Sequence, residues 1–434
     1  MTPEKFFDLL LYCSSLSNRT SLEQSVTILH DRYKVNIAKQ SLDNRFNEKA
    51  VVFINEILKQ VLETELTYFF RDKVLSDFNY VRIKDSTKFN VDDRLLKHFK
   101  GTGGGKGTRK ASVCIQYEYD IKSGKVLDLT ILPGASSDST NAKETKCNIN
   151  KKDLVIRDLG YYNLDTLWSF HENGAFFISR LNMTSKVFDC ETETEICLKK
   201  VYSEMVDKNI TIKDYSVLVS KNKKYKLRMI ITVVPEHAYE KRIRLANKRN
   251  KDRGYSTSDE YKVRARLNIF ITNIPHETMP TEELLLLYKL RWQIELMFKT
   301  WKSICSIDKI QPMKYERFMC LLMVKLILII IKLKLYWNFY EYYFLKGKIL
   351  SLHKSFTTFQ NTYHKFELIL KSTQAESRKN VKMYLNIFSK NHWKEKRKER
   401  KNYEEIIGLF ICNTDDYGYI EEVKTNAAEN LSAA

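Results

Sequence analysis

The sequence predicts an α/β protein: a sheet-and-helix core interrupted by an all-β insertion, with a helical unit before it and a helical region after it. Three observations lead there. Short apolar runs at 80–87, 112–119, 126–132, 153–158 and 174–181 have strand character, and helical segments alternate with the later ones. Residues 182–275 break that alternation with three further strand-like runs, YSVLVS, YKLRMIITVV and LNIFITNI. Both flanks read as helix, which gives segments 1–75, 76–181, 182–275, 276–340 and 341–434.

Length and charge narrow the class before any motif is read. At 434 residues, two or three packed units are expected. A net charge of +20, recurring in several segments, implies an anionic partner, and nucleic acid fits better than a membrane surface. The eight cysteines (13, 114, 147, 190, 197, 305, 320 and 412) form no C-x-x-C pair and no cluster with histidine, which argues against structural zinc. With no secretory leader, reduced thiols in a cytosol are expected. The most apolar stretch, 318–337, is interrupted by Lys325, Lys332 and Lys334 and reads as a buried helix rather than a membrane span.

In chain order, helices are expected from Pro3, after Ser21, where Gln24 completes a capping-box spacing, and from about Ala38. The second and third form either a helix-turn-helix, offering Lys39, Gln40, Asn44 and Arg45 to a DNA groove, or a small packing module. A longer helix over 48–70 leads to the first strand, which should end at Asp85. A glycine-rich basic loop, GTGGGKGTRK, lacks Walker spacing; its Lys106, Arg109 and Lys110 suit a phosphate backbone. DIKSGK then turns a hairpin, 137–145 is helical, and DLVIRD is a strand ending at Asp158. A helix over 163–173 closes at Gly174 before the strand GAFFISRL. The basic stretch 241–266 is expected as a helical arm of the all-β insertion, and Thr281 starts the next helix, with Glu282 and Glu283 at its positive end. A second basic run, WKEKRKERK, reads as a solvated helix face.

The most distinctive stretch, YKLRWQIELMFKTWK at 288–302, is expected as one helix. At about 100° per residue, Tyr288, Arg291, Glu295 and Lys302 fall within an arc of roughly 60°, beside an apolar stripe of Leu287, Leu290, Ile294, Met297, Phe298 and Trp301. Alone, that seam is equally well an ion pair between Glu295 and Arg291. Asp85 and Asp158 at strand ends change the balance. Three carboxylates converging on one place cannot all ionise cheaply without a cation, and oxygen-only ligation suits Mg²⁺ or Mn²⁺. Such a pair of ions clamps the attacking and leaving oxygens of a phosphodiester, and Arg291 and Lys302 would bind its other oxygens.

IKDST around Asp85, DLGYY around Asp158 and Y-x2-R-x3-E-x6-K from Tyr288 to Lys302, in that order, resemble the DDE transposases of the insertion-sequence-four family. The resemblance implies a ribonuclease-H-like catalytic core with a β-rich insertion ahead of the helix bearing the glutamate. It makes Asp85, Asp158 and Glu295 the catalytic residues and the ligands of Mg²⁺ or Mn²⁺, two ions by family analogy, and gives Tyr288, Arg291 and Lys302 to the transposon end. Trp292, next to the signature arginine, takes the place of an aromatic that packs on a flipped base. Since 182–275 contains no tryptophan, a second stacking contact would fall to Phe270 or a tyrosine. The partners implied are terminal inverted repeats and target DNA, both double-stranded, with a homodimer in the DNA complex and a place at the nucleoid in a bacterial cytosol. Two other readings stay open: an end-binding repressor without catalysis, and a ribonuclease-H-type nuclease without strand transfer.

Overall fold

Local chemistry sets several element boundaries. The Ser21 hydroxyl accepts from the Gln24 amide at 3.1 Å while the Gln24 side chain accepts from the Ser21 amide at 2.8 Å, the capping box expected from their spacing. The Asn163 side chain caps its helix by accepting from the Thr166 amide at 2.9 Å. Gly124 turns the hairpin at φ 69°, and a side chain there would also come within 3.0 Å of the Trp337 ring.

The computed structural model describes residues 1–16, 20–64, 75, 77–103, 110–182, 184–222, 224–251, 254–344 and 346–395. Helices α1 (Pro3–Ser15), α2 (Leu22–Tyr33), α3 (Lys39–Asp43) and α4 (Glu48–Glu63) open the chain. Strands β1 (Val81–Asn90), β2 (Ser112–Asp120) and β3 (Val126–Pro133) precede α5 (Asp138–Glu144), β4 (Leu154–Arg157), α6 (Leu164–Glu172) and β5 (Phe176–Arg180). Then come β6 (Val187–Asp189), α7 (Leu198–Asp207), β7 (Ile212–Val219), β8 (Tyr225–Val233), α8 (Glu236–Lys251), α9 (Asp259–Ala265) and β9 (Leu267–Thr272). Helices α10 (Thr281–Leu290), α11 (Trp292–Ser303), α12 (Tyr315–Phe344), α13 (Leu352–Asn361), α14 (Tyr363–Lys371) and α15 (Gln374–Asn391) follow. The end of the expected helix over 48–70, most of the run WKEKRKERK and the last residues of the chain lie outside the described residues.

The chain forms two compact units, one of Met1–Lys73, Asp85–Ser136 and Trp292–Ala434, the other of Val74–Lys84 and Ser137–Arg291. In the second the strand order is β1-β4-β5-β9-β8-β7-β6, with β1, β4 and β5 parallel and the remaining pairs antiparallel. Val155, Phe177, Met229, Ile231 and Ile271 fill its core, with α6 and α7 contributing Phe170, Leu198, Val201 and Met205. In the first unit the order is β3-β2-β1, and α12 packs against α1, α4 and α13. Ion pairs tie the first helices to the last ones there: Arg32 meets Glu367 at 2.7 Å, and Lys371 meets Asp8 at 2.9 Å.

Helix α12 is buried nearly all round, as its continuous apolar sequence requires. Its lysines find acceptors: Lys332 donates to the Gln360 side chain at 2.8 Å, Lys325 to the Cys305 carbonyl at 3.3 Å and Lys334 to the Thr64 carbonyl at 2.9 Å. Among the described residues no helix is long and apolar enough to cross a membrane.

Three local expectations need correction. The insertion is not all-β: besides the expected basic arm, now α8 and α9, it contains α7, whose buried Leu198, Val201 and Met205 follow a helical spacing. Asp85 does not end its strand, because buried Thr87 and Phe89 alternate with exposed Lys88 and Asn90 and carry β1 to Asn90. The stretch 288–302 is two helices, since at Arg291 the backbone tightens and its amide donates a hydrogen bond to the Tyr288 carbonyl at 3.2 Å. Thr281 starts α10 as expected, with Glu282 and Glu283 in the first turn, while its hydroxyl bonds Asp214 at 2.6 Å rather than a backbone amide of the helix.

Candidate active site

Within the second unit, β1 and β4 run parallel in register from Val81↔Leu154 to Lys84↔Arg157. The residue that follows the last pair of this ladder is on each side a candidate carboxylate: Asp85, still within β1, and Asp158, just past β4. Buried charges fix this ladder. Arg82 meets Asp153 at 3.1 Å with both side chains almost wholly buried, and Lys84 donates to the Thr145 hydroxyl at 3.3 Å. Breaking one partner of such a pair strands the other, so the register is strongly specified. Arg157 lays its guanidinium over Tyr161 and Phe170, at 5.8 and 5.5 Å from the ring centres. After Asp158 the chain makes a tight turn, with the Tyr161 amide on the Asp158 carbonyl at 3.0 Å. Gly160 keeps that turn close to Asp138, whose carboxylate oxygen would lie 3.2 Å from a side-chain carbon there.

Helix α10 brings Tyr288 and Arg291 into the same unit. Its start is held by Arg228 of β8, which donates to the Met279 carbonyl at 2.8 Å, to the Thr281 hydroxyl at 3.0 Å and to Asp214 at 2.7 Å. The Tyr288 ring packs edge-on against Phe270 at 4.8 Å. Burial pushes its phenol up to about 12; Arg291 and Arg180 pull it down and Asp158 pushes it further up. One phenol therefore feels Asp158 and two guanidinium groups. Arg180 escaped the sequence reading, although it ends the buried strand GAFFISRL, a position where a charged residue is already a signal. Phe270 is itself packed and buried against Tyr288, which removes it as an exposed stacking platform.

The first unit holds Asp85, Glu295 and Lys302. Asp85 is half-buried and accepts the Ser86 amide at 2.8 Å. Helix α11 seats on β2 through Trp301, edge-on to Tyr117 at 5.0 Å and to Phe298 at 5.2 Å. It also reaches β1, where the Lys302 ammonium donates to the Lys88 carbonyl at 3.0 Å. Glu295 lies two turns earlier on the face of Lys302, half-buried. Trp292 opens the helix with 55% of its surface exposed.

The other named residues are dispersed. Lys106 and Arg109 lie outside the described residues, and Lys110 is exposed. In the N-terminal helices, α3 is five residues long, and its Lys39 pairs with Glu23 of α2. The seven described cysteines form no disulfide. Among the described residues no three His, Cys, Asp or Glu side chains gather into a metal-holding group. In chemical type the candidate donors fit a hard divalent cation, since all three are carboxylates.

Comparison with known proteins adds the family dimension. A family model described as the transposase DDE domain matches residues 77–331. The transposase for insertion sequence element IS231E of Bacillus thuringiensis subsp. finitimus is 31% identical over 93% of this chain and 88% of its own length. That for IS231F of Bacillus thuringiensis subsp. israelensis is 30% identical with the same coverage, and that for IS1151 of Clostridium perfringens is 30% identical over 68% of this chain and 65% of its own. Among solved structures, the piggyBac transposase synaptic complex with hairpin DNA aligns with a TM-score of 0.41 at 9% identity, over 98% of this chain and 75% of that one.

Proposed function

Because the chain belongs to the DDE transposase family, we propose that it is a cut-and-paste transposase that binds terminal inverted repeats, hydrolyses a phosphodiester at each element end and joins the 3′-OH to target DNA. The observation that carries this is the β1/β4 register, whose last pair, Lys84↔Arg157, is followed on each strand by a motif aspartate. The Lys302 bond to the Lys88 carbonyl supports it, since it holds the helix bearing Glu295 to β1. Seven helical residues rise about 10 Å and three strand residues span about 10 Å, so the separations of Glu295 from Lys302 and of Asp85 from Lys88 match.

Asp85, Asp158 and Glu295 would hold Mg²⁺ or Mn²⁺, two ions in the full reading, and the bound metal would supply charge stabilisation and an activated water. The remaining roles belong to side chains. Arg291 grips non-bridging phosphate oxygens as a planar fork, and Tyr288, its phenol kept neutral by burial, donates a hydrogen bond rather than acting as a nucleophile. Trp292 stacks on a displaced base. Lys302 positions the α11 helix while its charge faces the DNA end, and Lys106, Arg109 and Lys110 follow the phosphate backbone. The ribonuclease-H-like description of the core, the N-terminal helices as a DNA-binding unit, a homodimer in the DNA complex and action in the bacterial cytosol belong to the same proposal.

The test is a purified-protein assay with Mg²⁺ and a terminal-repeat duplex. Nicking at the repeat boundary is expected, abolished in Asp85→Ala, and abolished in Glu295→Gln with DNA binding retained. Unchanged nicking by Asp85→Ala overturns the reading. Precut ends that are never joined to a target would leave a nuclease instead.

A further inference from the structure

The basic stretch of the insertion has no part in the chemistry above, yet its structure is two-sided. On α8, Arg242 turns inward and donates to the carbonyls of Ala265 and Leu267 at 3.0 and 3.2 Å and to the Asn268 side chain at 2.6 Å. Ala246, one turn on, is buried on the same side. At about 100° per residue, Lys241, Arg244, Lys248 and Lys251 fall within an arc of about 80° on the opposite side, and all four are exposed. Over about 15 Å of helix this is a single basic line.

Neighbouring groups leave that charge available. Glu236, at the start of α8, is held by Arg266 at 2.7 Å, and Glu240 is the other carboxylate on the helix. Among the described residues none of the four cations of the line has an ion-pair partner. The amides that could read base edges are occupied: Asn247 accepts the Thr257 hydroxyl at 2.6 Å, and Asn250 donates to the same oxygen at 2.9 Å. What the line presents is positive charge, with no free amide of Asn247 or Asn250 beside it to read an adenine edge. Bonds to phosphates position a duplex, whereas bonds to base edges specify it.

We propose that the exposed line Lys241, Arg244, Lys248 and Lys251 of α8 binds the phosphate backbone of target DNA, without regard to sequence. The inference rests on the transposase reading, and it commits to the target rather than the terminal repeat because the repeat must be recognised by sequence.

The experiment compares wild type with a variant in which all four residues are changed to Gln, using a random-sequence duplex, a terminal-repeat duplex and precut ends joined to a plasmid. For the random duplex, each cation–phosphate pair removed should flatten the slope of log affinity against log salt by about 0.9, with affinity at low salt down at least about tenfold. Joining to plasmid should fall in parallel, while nicking of the terminal repeat stays within about twofold. A charge-keeping variant, K241R, K248R and K251R with Arg244 retained, should behave as wild type, which excludes a folding defect. An unchanged salt slope on the random duplex overturns the inference, as does an equal loss of terminal-repeat nicking. If wild type itself neither nicks nor joins, it is the transposase reading that fails, whereas a wild type that does both while the variant matches it removes only the role of α8.

Discussion

On α11 the Lys302 ammonium is taken up by the Lys88 carbonyl at 3.0 Å, and Trp301 beneath it is wholly buried. On α8, Lys241, Arg244, Lys248 and Lys251 stand in water, and the inward face is satisfied by one arginine, Arg242. Helix α12 makes a third case, with Lys325, Lys332 and Lys334 capped by carbonyl and amide oxygens inside the protein. The net charge of +20 is therefore not one surface. A cation buried in the protein, as Lys332 is, is held to the nearest acceptor, because leaving it unpaired there costs several kcal/mol, at about the scale of a buried polar group. A cation on the exposed side of a helix stays available to a partner.

The sharpest way to break the comparison is to remove the anchor. Trp301→Ala should cost about 3–5 kcal/mol in denaturant unfolding, because it empties the space between α11 and Tyr117. Cleavage should fall with it, and a fully stable variant would show that α11 is not fixed as described. Lys302→Ala is the smaller lesion: about 0.5–1.5 kcal/mol for the missing hydrogen bond, with nicking reduced more than terminal-repeat binding. Nicking that survives unchanged would separate Lys302 from the positioning of Glu295.

Helix α12 sharpens the contrast through pH. Burial pushes the Lys325 ammonium down to about 8, with Lys332 adding to the effect and Cys305 and Asp308 opposing it. The unfolded chain then binds more protons than the native one between about 8 and the ordinary value of 10.5, so this group's contribution to stability rises with pH across that window and is lost as pH falls through 8. The stability of wild type relative to Lys325→Met should therefore improve from pH 8 to 10, read as the difference between two urea midpoints; a flat difference sinks the prediction. The smallest effect belongs to α8, where Lys248→Gln should leave stability within about 0.5 kcal/mol.

The candidate residues were legible because their signals are local: the three motifs that resemble those of DDE transposases mark Asp85, Asp158 and Glu295, and with them Tyr288 and Arg291, as candidates. Arg180 was not, since its relation to Tyr288 depends on β5 and α10 meeting across the whole insertion. Nor was the break at Arg291, which no proline or glycine announces. The expected end of β1 at Asp85 failed for a different reason: the alternation that extends the strand is carried by Thr87 and Phe89, a weak apolar signal.

By itself the sequence determined the family, the hairpin from Ser112 to Pro133 and the caps at Ser21 and Asn163. Each of these is written in neighbouring residues or in a fixed spacing. The tertiary structure alone decided that β1 pairs with β4 in a register that ends beside both motif aspartates, that β9 lies beside β5 although the insertion separates them, and that the first and last helices share a unit through Arg32 and Glu367. Periodicity tells a segment which of its faces to bury, but not against which distant segment. That choice is made by packing and pairing between residues far apart in the chain, and it also settles which lysines are satisfied inside the protein and which remain for a partner.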